Sequence, residues 1–81
     1  MSIRAIIVED EIPSLERLKT LLRDFPQVEI VGEARDGETA VRLIDEIRPD
    51  LVFLDIQLPV QNGFTVLEKV RSRPRVIFVT S

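Results

Sequence analysis

The sequence predicts an α/β fold, a doubly wound parallel sheet with helices on both faces. Three observations predict it. Four short apolar runs (IRAIIV, VEIVGEA, LVFL and VIFV) alternate with three segments whose apolar residues recur every three or four positions. The connections between them are short, and the 5 prolines stand at or near their boundaries. An order β-α-β-α-β-α-β with connections this short implies right-handed crossovers between parallel strands.

Each element has its own reason. Ile3 to Val8 reads as a buried strand, stopped by Glu9, Asp10 and Glu11. Pro13 suits the first turn of a helix, and the acidic residues ahead of it complement the helix dipole. Leu15, Leu18, Leu22 and Phe25 form the inward stripe of that helix, which stops near Asp24 ahead of Pro26. Val28 to Ala34 alternates in part and reads as a half-exposed strand. Asp36 is placed to N-cap a helix that turns Ala40, Val41, Ile44 and Ile47 inward and ends before Pro49. Leu51 to Leu54 is apolar enough for a strand buried on both faces. Gln61, Asn62 and Gly63 signal a turn, after which Phe64, Leu67 and Val70 form the stripe of a third helix ending near Arg71. Val76 to Val79 is the fourth strand.

The chain has 81 residues, which makes residues 1–81 one domain or part of one. A hydrophobic content of 44% suits a packed core. The net charge is −3 with acidic residues spread along the chain, so direct binding of nucleic acid or of an anionic membrane is not expected. Cysteine and histidine are absent, which excludes disulfides, thiolate nucleophiles, imidazole bases and the usual zinc ligands. The N-terminus lacks a secretory signal, and no apolar run approaches the ~20 residues that span a bilayer. A soluble cytoplasmic location is the expectation. The last apolar run ends at the end of the sequence, where this architecture normally continues into a helix. The expectation is therefore a sheet cut short, with a bare VIFV edge prone to pair as a homodimer or larger edge-paired oligomer.

Open α/β sheets bind ligands outside the carboxyl ends of their strands. The residues there are Glu9 and Asp10 after the first strand, Asp55 after the third, and Thr80 and Ser81 after the fourth. In the flavodoxin-like strand order 2-1-3-4 the first and third strands are neighbours, so their carboxylates converge. Such a group of like charges raises at least one pKa unless a cation offsets it, and magnesium suits an all-oxygen site. Each residue alone has a plainer role. Glu9 and Asp10 can cap the next helix, Asp55 can be a solvated strand end, and Thr80 is an ordinary strand residue. The cluster Lys69, Arg71, Arg73 and Arg75 reads as solvated charge at a helix C-terminus. Their coincidence on one sheet edge is what favours a site.

With "IIVEDE", "LVFLDIQLP", "NGF" and "VIFVTS" in this order, the whole chain resembles the receiver domains of two-component response regulators, the CheY-like fold. The wording is most similar to the LytR/AlgR subgroup, whose members usually carry a LytTR DNA-binding domain downstream. The resemblance implies that Asp55 accepts a phosphoryl group from a phosphohistidine on a sensor histidine kinase. It implies Mg²⁺, or Mn²⁺, held directly by Asp10 and Asp55, by the main-chain carbonyl of Gln57, and by Glu9 through water. Thr80 would hydrogen-bond the acyl phosphate and act as the switch, and the small Ser81 would leave room for the donor. Pro13, Ser14 and Arg17 on the first helix would face the kinase. The family's fifth-strand lysine and aromatic switch residue have no counterpart in this sequence. A phosphorylation-independent dimerisation or interaction module therefore stays open. A magnesium-dependent hydrolase of the haloacid-dehalogenase type would need a second aspartate where Gln57 stands. A flavodoxin-like cofactor binder would need a phosphate-cradling loop where Glu9, Asp10 and Glu11 would repel the phosphate. The implied protein catalyses its own modification and is not a turnover enzyme.

Overall fold

β1 (Ile3–Val8) is the strand on which the sheet is built. A computed structural model describes residues 2–58 and 63–79. In it β1 pairs on one side with β2 (Val28–Ala34) and on the other with β3 (Leu51–Asp55), and β4 (Arg75–Val79) lies beyond β3. All three pairings are parallel and the order is β2-β1-β3-β4, as the sequence predicts. The ladder to β2 shifts between Ala5 and Ile6, whose partners are Ile30 and Gly32, so Val31 is the extra residue of a bulge. The bulge accounts for the imperfect alternation of VEIVGEA.

α1 (Ile12–Leu22), α2 (Gly37–Ile47) and α3 (Gly63–Lys69) cover the two faces unequally. Alternate residues of β1 feed two cores. Ile6 and Val8 join Ala40, Ile44, Val52, Leu54 and Val66 under α2 and α3. Ala5 and Ile7 join Leu15 and Phe53 under α1. Each fully buried Ile or Leu contributes roughly 1.5–3 kcal/mol, so the α2–α3 face carries most of the hydrophobic stabilisation. β4 is an edge strand with Ile77 and Phe78 exposed, and Phe78 rests against Phe64 with ring centroids 5.0 Å apart.

Two expected stripes are corrected. Phe25 does not face the core; it is exposed. α1 stops at Leu22, and Arg23, Asp24 and Phe25 each donate a backbone N–H three residues back, to Thr20, Leu21 and Leu22. That tighter winding rotates Phe25 off the stripe. In α3 the buried position is Val66, with Leu67 and Val70 half-buried, while Phe64 is exposed. The true stripe runs 63, 66, 67, 70, one residue out of phase with Phe64, and the helix ends at Lys69 rather than Arg71. The predicted turn residues Gln61 and Asn62, and Thr80 and Ser81, lie outside the described residues.

α2 is fixed at both ends. Asp36 accepts the N–H of Thr39 at 2.8 Å, which is the expected N-cap. At the other end Arg48 adopts φ 53° and ψ 64°, a left-handed conformation that disfavours a side chain. Its N–H donates to Ile44 O at 2.9 Å. The guanidinium of Arg4 donates to the carbonyl of Ile47 at 3.2 Å and to that of Arg48 at 3.5 Å. Glycine would adopt this conformation without the Cβ clash. Arg48→Gly should therefore raise unfolding stability by about 1 kcal/mol, read from the urea midpoint. A lower midpoint would show that the arginine side chain contributes more than its backbone strain costs.

Candidate functional site

The register Val8↔Leu54 brings the ends of β1 and β3 level, so the next residue of each, Glu9 and Asp55, meets at the carboxyl edge of the sheet. Apolar neighbours on both strands hold these carboxyls out of water. Glu9 is 4% exposed and Asp55 2%, the two buried charged residues among those described. Asp10 is half-buried on the short loop between β1 and α1. One oxygen from each of Glu9, Asp10 and Asp55 lies within 4.8 Å of the others.

Burying carboxylates together is unfavourable unless something offsets their charge. Asp55 Oδ1 accepts the N–H of Gln57 at 2.9 Å, a bond that curls the chain back after the strand. Glu9 Oε2 accepts the N–H of Glu11 at 3.4 Å, while Glu9 Oε1 is buried with no hydrogen-bond partner. Burial, followed by hydrogen bonding with and repulsion from Asp55, pushes the Glu9 carboxyl up to about 7. Among the described residues the one ion pair is Lys19–Glu33 at 3.0 Å, so no lysine or arginine is ion-paired to the cluster. An orphaned oxygen and three converging carboxyls form an all-oxygen donor set, which fits a hard divalent cation and not zinc.

α3 begins against this site. Gly63 donates its N–H to Ile56 O at 2.9 Å. A Cβ at Gly63 would lie 2.9 Å from the Asp55 carbonyl oxygen and 3.2 Å from Leu54 Cγ. Only glycine lets the helix start this close to the backbone of Asp55.

The structure thus brings together Glu9, Asp10 and Asp55 as the sequence predicts, with Gln57 two residues beyond and its side chain exposed. Thr80 is not among the described residues; the ladder pairs Asp55 with Val79, the residue before it. Sequence reasoning missed Arg35. Its guanidinium donates to the main-chain carbonyl of Asp10 at 3.3 Å and ties the loop after β2 to the loop that carries Asp10. The signal was present, because Arg35 is the first residue after β2 on the same sheet edge.

A four-stranded parallel sheet of this order, with three carboxyls at its carboxyl edge, defines a class of protein that comparison makes specific. Residues 5–81 match the model of the response regulator receiver domain, and the chain belongs to that family. It is 40% identical over 82 residues to the sensory transduction protein LytT of Bacillus cereus, covering 98% of this chain but 33% of that protein. It is 38% identical to a protein-glutamate methylesterase/protein-glutamine glutaminase of Geobacter sulfurreducens, covering 98% of this chain and 22% of the relative. Among solved structures, the response regulator domain of Thermotoga maritima CheB superposes with a TM-score of 0.89 at 34% identity, over 100% of this chain and 62% of that one. The chain thus spans about a third or less of the length of these curated relatives. Among the described residues no helix is long and apolar enough to cross a membrane.

Proposed function

We propose that this chain is a phosphorylation-dependent switch of a two-component system, with Asp55 as the phosphoacceptor. The observation that carries this reading is the burial of Asp55 beside Glu9 and Asp10, with all three oxygens within 4.8 Å. An Asp55 oxygen attacks the phosphorus of a phosphohistidine on a sensor histidine kinase. The P–N bond breaks, the electron pair leaves with the imidazole, and an acyl phosphate remains on Asp55. Asp10 and Asp55 would hold Mg²⁺, or Mn²⁺, directly, with the carbonyl of Gln57 as a further ligand and Glu9 acting through water. When bound, the ion offsets the charge that gathers on the phosphoryl oxygens. The apolar walls from Phe53 and Leu54 fix where Asp55 points, and the Gln57 N–H occupies Oδ1 of its carboxyl. Thr80 would hydrogen-bond the acyl phosphate and carry the change outward, with the small Ser81 beside it leaving access for the donor. Pro13 and Arg17 of α1 are exposed near the site and suit a kinase-facing surface. Similarity to LytT supports a cytoplasmic signalling protein whose output, by the subgroup resemblance, is DNA binding by a downstream domain.

The test uses the protein with acetyl phosphate and magnesium. Wild type should gain one base-labile phosphoryl group, and Asp55→Ala should gain none. Labelling of the Asp55→Ala protein at the wild-type level would overturn the assignment.

A further inference from the structure

The end of the sheet opposite the acidic cluster carries a concentration of positive charge that the phosphoryl site does not use. Lys69, Arg71, Arg73 and Arg75 occupy every second position of a run that contains no acidic residue. All four are exposed, on a chain whose net charge is −3. Lys69 ends α3, where a cation complements the helix dipole, but that effect fades within the last turn and leaves Arg71, Arg73 and Arg75 unexplained. Across an open groove of about 690 Å³, Arg48 at the end of α2 faces Lys69 and Arg71. None of these cations is in an ion pair among the described residues.

Of the carboxylates nearby, Asp45 and Asp50 are engaged by backbone, while the exposed Glu68 lies beside Arg71 and Arg73 along the neighbouring groove. Asp45 Oδ1 accepts the N–H of Arg71 at 2.9 Å, the N–H of Ser72 at 3.2 Å and the Ser72 hydroxyl at 3.4 Å. Asp50 Oδ2 accepts the N–H of Arg4 at 2.9 Å. Asp45 thus pins the connection after α3 to α2 and fixes where Arg71 emerges. The result is a rigid rim with three cations to one carboxylate around the groove.

We propose that this surface docks an acidic peptide segment of a partner protein, its carboxylates seated on Arg48, Lys69 and Arg71 around the groove, with Arg73 two residues on beside the adjoining groove that Arg71 also lines. Arginine forks pair with carboxylates in two-point geometry. The groove is short and bounded by α2 and the α3–β4 connection, which suits a peptide rather than a long polyanion. The acidic residues at the far end of the molecule repel an extended nucleic acid but not a segment confined to the basic end. Because the patch lies away from Asp55, docking there leaves the phosphoryl site open.

Fluorescence anisotropy of a short labelled glutamate–serine peptide, added to the protein at low salt, tests this. Affinity should fall as salt rises and should drop about tenfold in Arg71→Glu/Arg73→Glu, while Arg23→Glu, just past the end of α1, changes it little. Acetyl-phosphate labelling should match wild type in the double variant. If that variant fails to fold, Arg71→Gln/Arg73→Gln supplies the comparison, with a smaller loss in the same direction. Absence of peptide binding, or equal loss in Arg23→Glu, overturns the proposal. So does a duplex DNA probe that binds more tightly than the peptide and loses that affinity in the Arg71/Arg73 variant, which would make this a nucleic-acid surface.

Discussion

In metal-free buffer, replacing Glu9 with glutamine should abolish a fall in stability that the wild type shows between about pH 5 and pH 8. The folded protein holds the Glu9 proton up to about pH 7, against an ordinary value of 4.5. Between those values the native state binds more protons than the unfolded one, so stability declines as pH rises. The contribution is complete below the lower value and lost above the upper one. Glutamine is neutral throughout and cannot lose it. Urea unfolding at both pH values, with chelator, gives the comparison. Equal slopes in the two proteins would refute the burial of an ionisable Glu9. Adding magnesium at pH 8 should recover stability in wild type, since a ligand that binds only the folded state stabilises it by mass action.

Gly63→Ala is expected to destabilise the fold by about 1–3 kcal/mol, the usual cost of forcing atoms into a filled space. The added methyl would sit 2.9 Å from the carbonyl oxygen of Asp55, a backbone atom that cannot swing aside. For a domain of this size each kcal/mol lowers the thermal midpoint by about 4–8 °C. The same displacement reaches the proposed phosphoacceptor through its own main chain. Acetyl-phosphate labelling should therefore slow in Gly63→Ala even at temperatures where the variant is fully folded. An unchanged midpoint would mean that α3 docks more loosely than the 2.9 Å bond from Gly63 to Ile56 implies.

What the sequence made legible was whatever a local period or a strand end could encode. The alternation of apolar runs and the boundary prolines were enough for the element order and the parallel pairing, the strand order 2-1-3-4 came from the flavodoxin-like architecture, and a carboxyl after an apolar run was enough to locate Glu9, Asp10 and Asp55. The misses share a cause, which is that they depend on a helix's phase or its packing partner. Phe64 and Phe25 are apolar and sit at helical spacing, yet one lies a residue off phase and the other beyond the point where α1 tightens. Val66 was findable, because Gly63, Val66, Leu67 and Val70 form the complete pattern that Phe64 interrupts. The clamp of Arg4 on α2 joins residues far apart in the chain and no window of sequence could reveal it, whereas the bond from Arg35 to Asp10 was signalled only by the place of Arg35 after β2 on the same sheet edge.

The central place of β1 has a consequence during synthesis. β1 is made before β2 and can pair with it as soon as Ala34 has emerged, but its other edge waits for β3 at Leu51–Asp55. At translation rates of ~5–20 residues per second, about 20 intervening residues keep that edge open for roughly 1–4 s. For that interval the nascent β1-α1-β2 unit presents Ala5, Ile6, Ile7 and Val8, all later buried, along an unpaired strand. A pause after Ala34 has emerged and before β3 does would lengthen the exposure and give a chaperone its best opportunity to bind, whereas a pause once Asp55 has emerged would find the strand already covered.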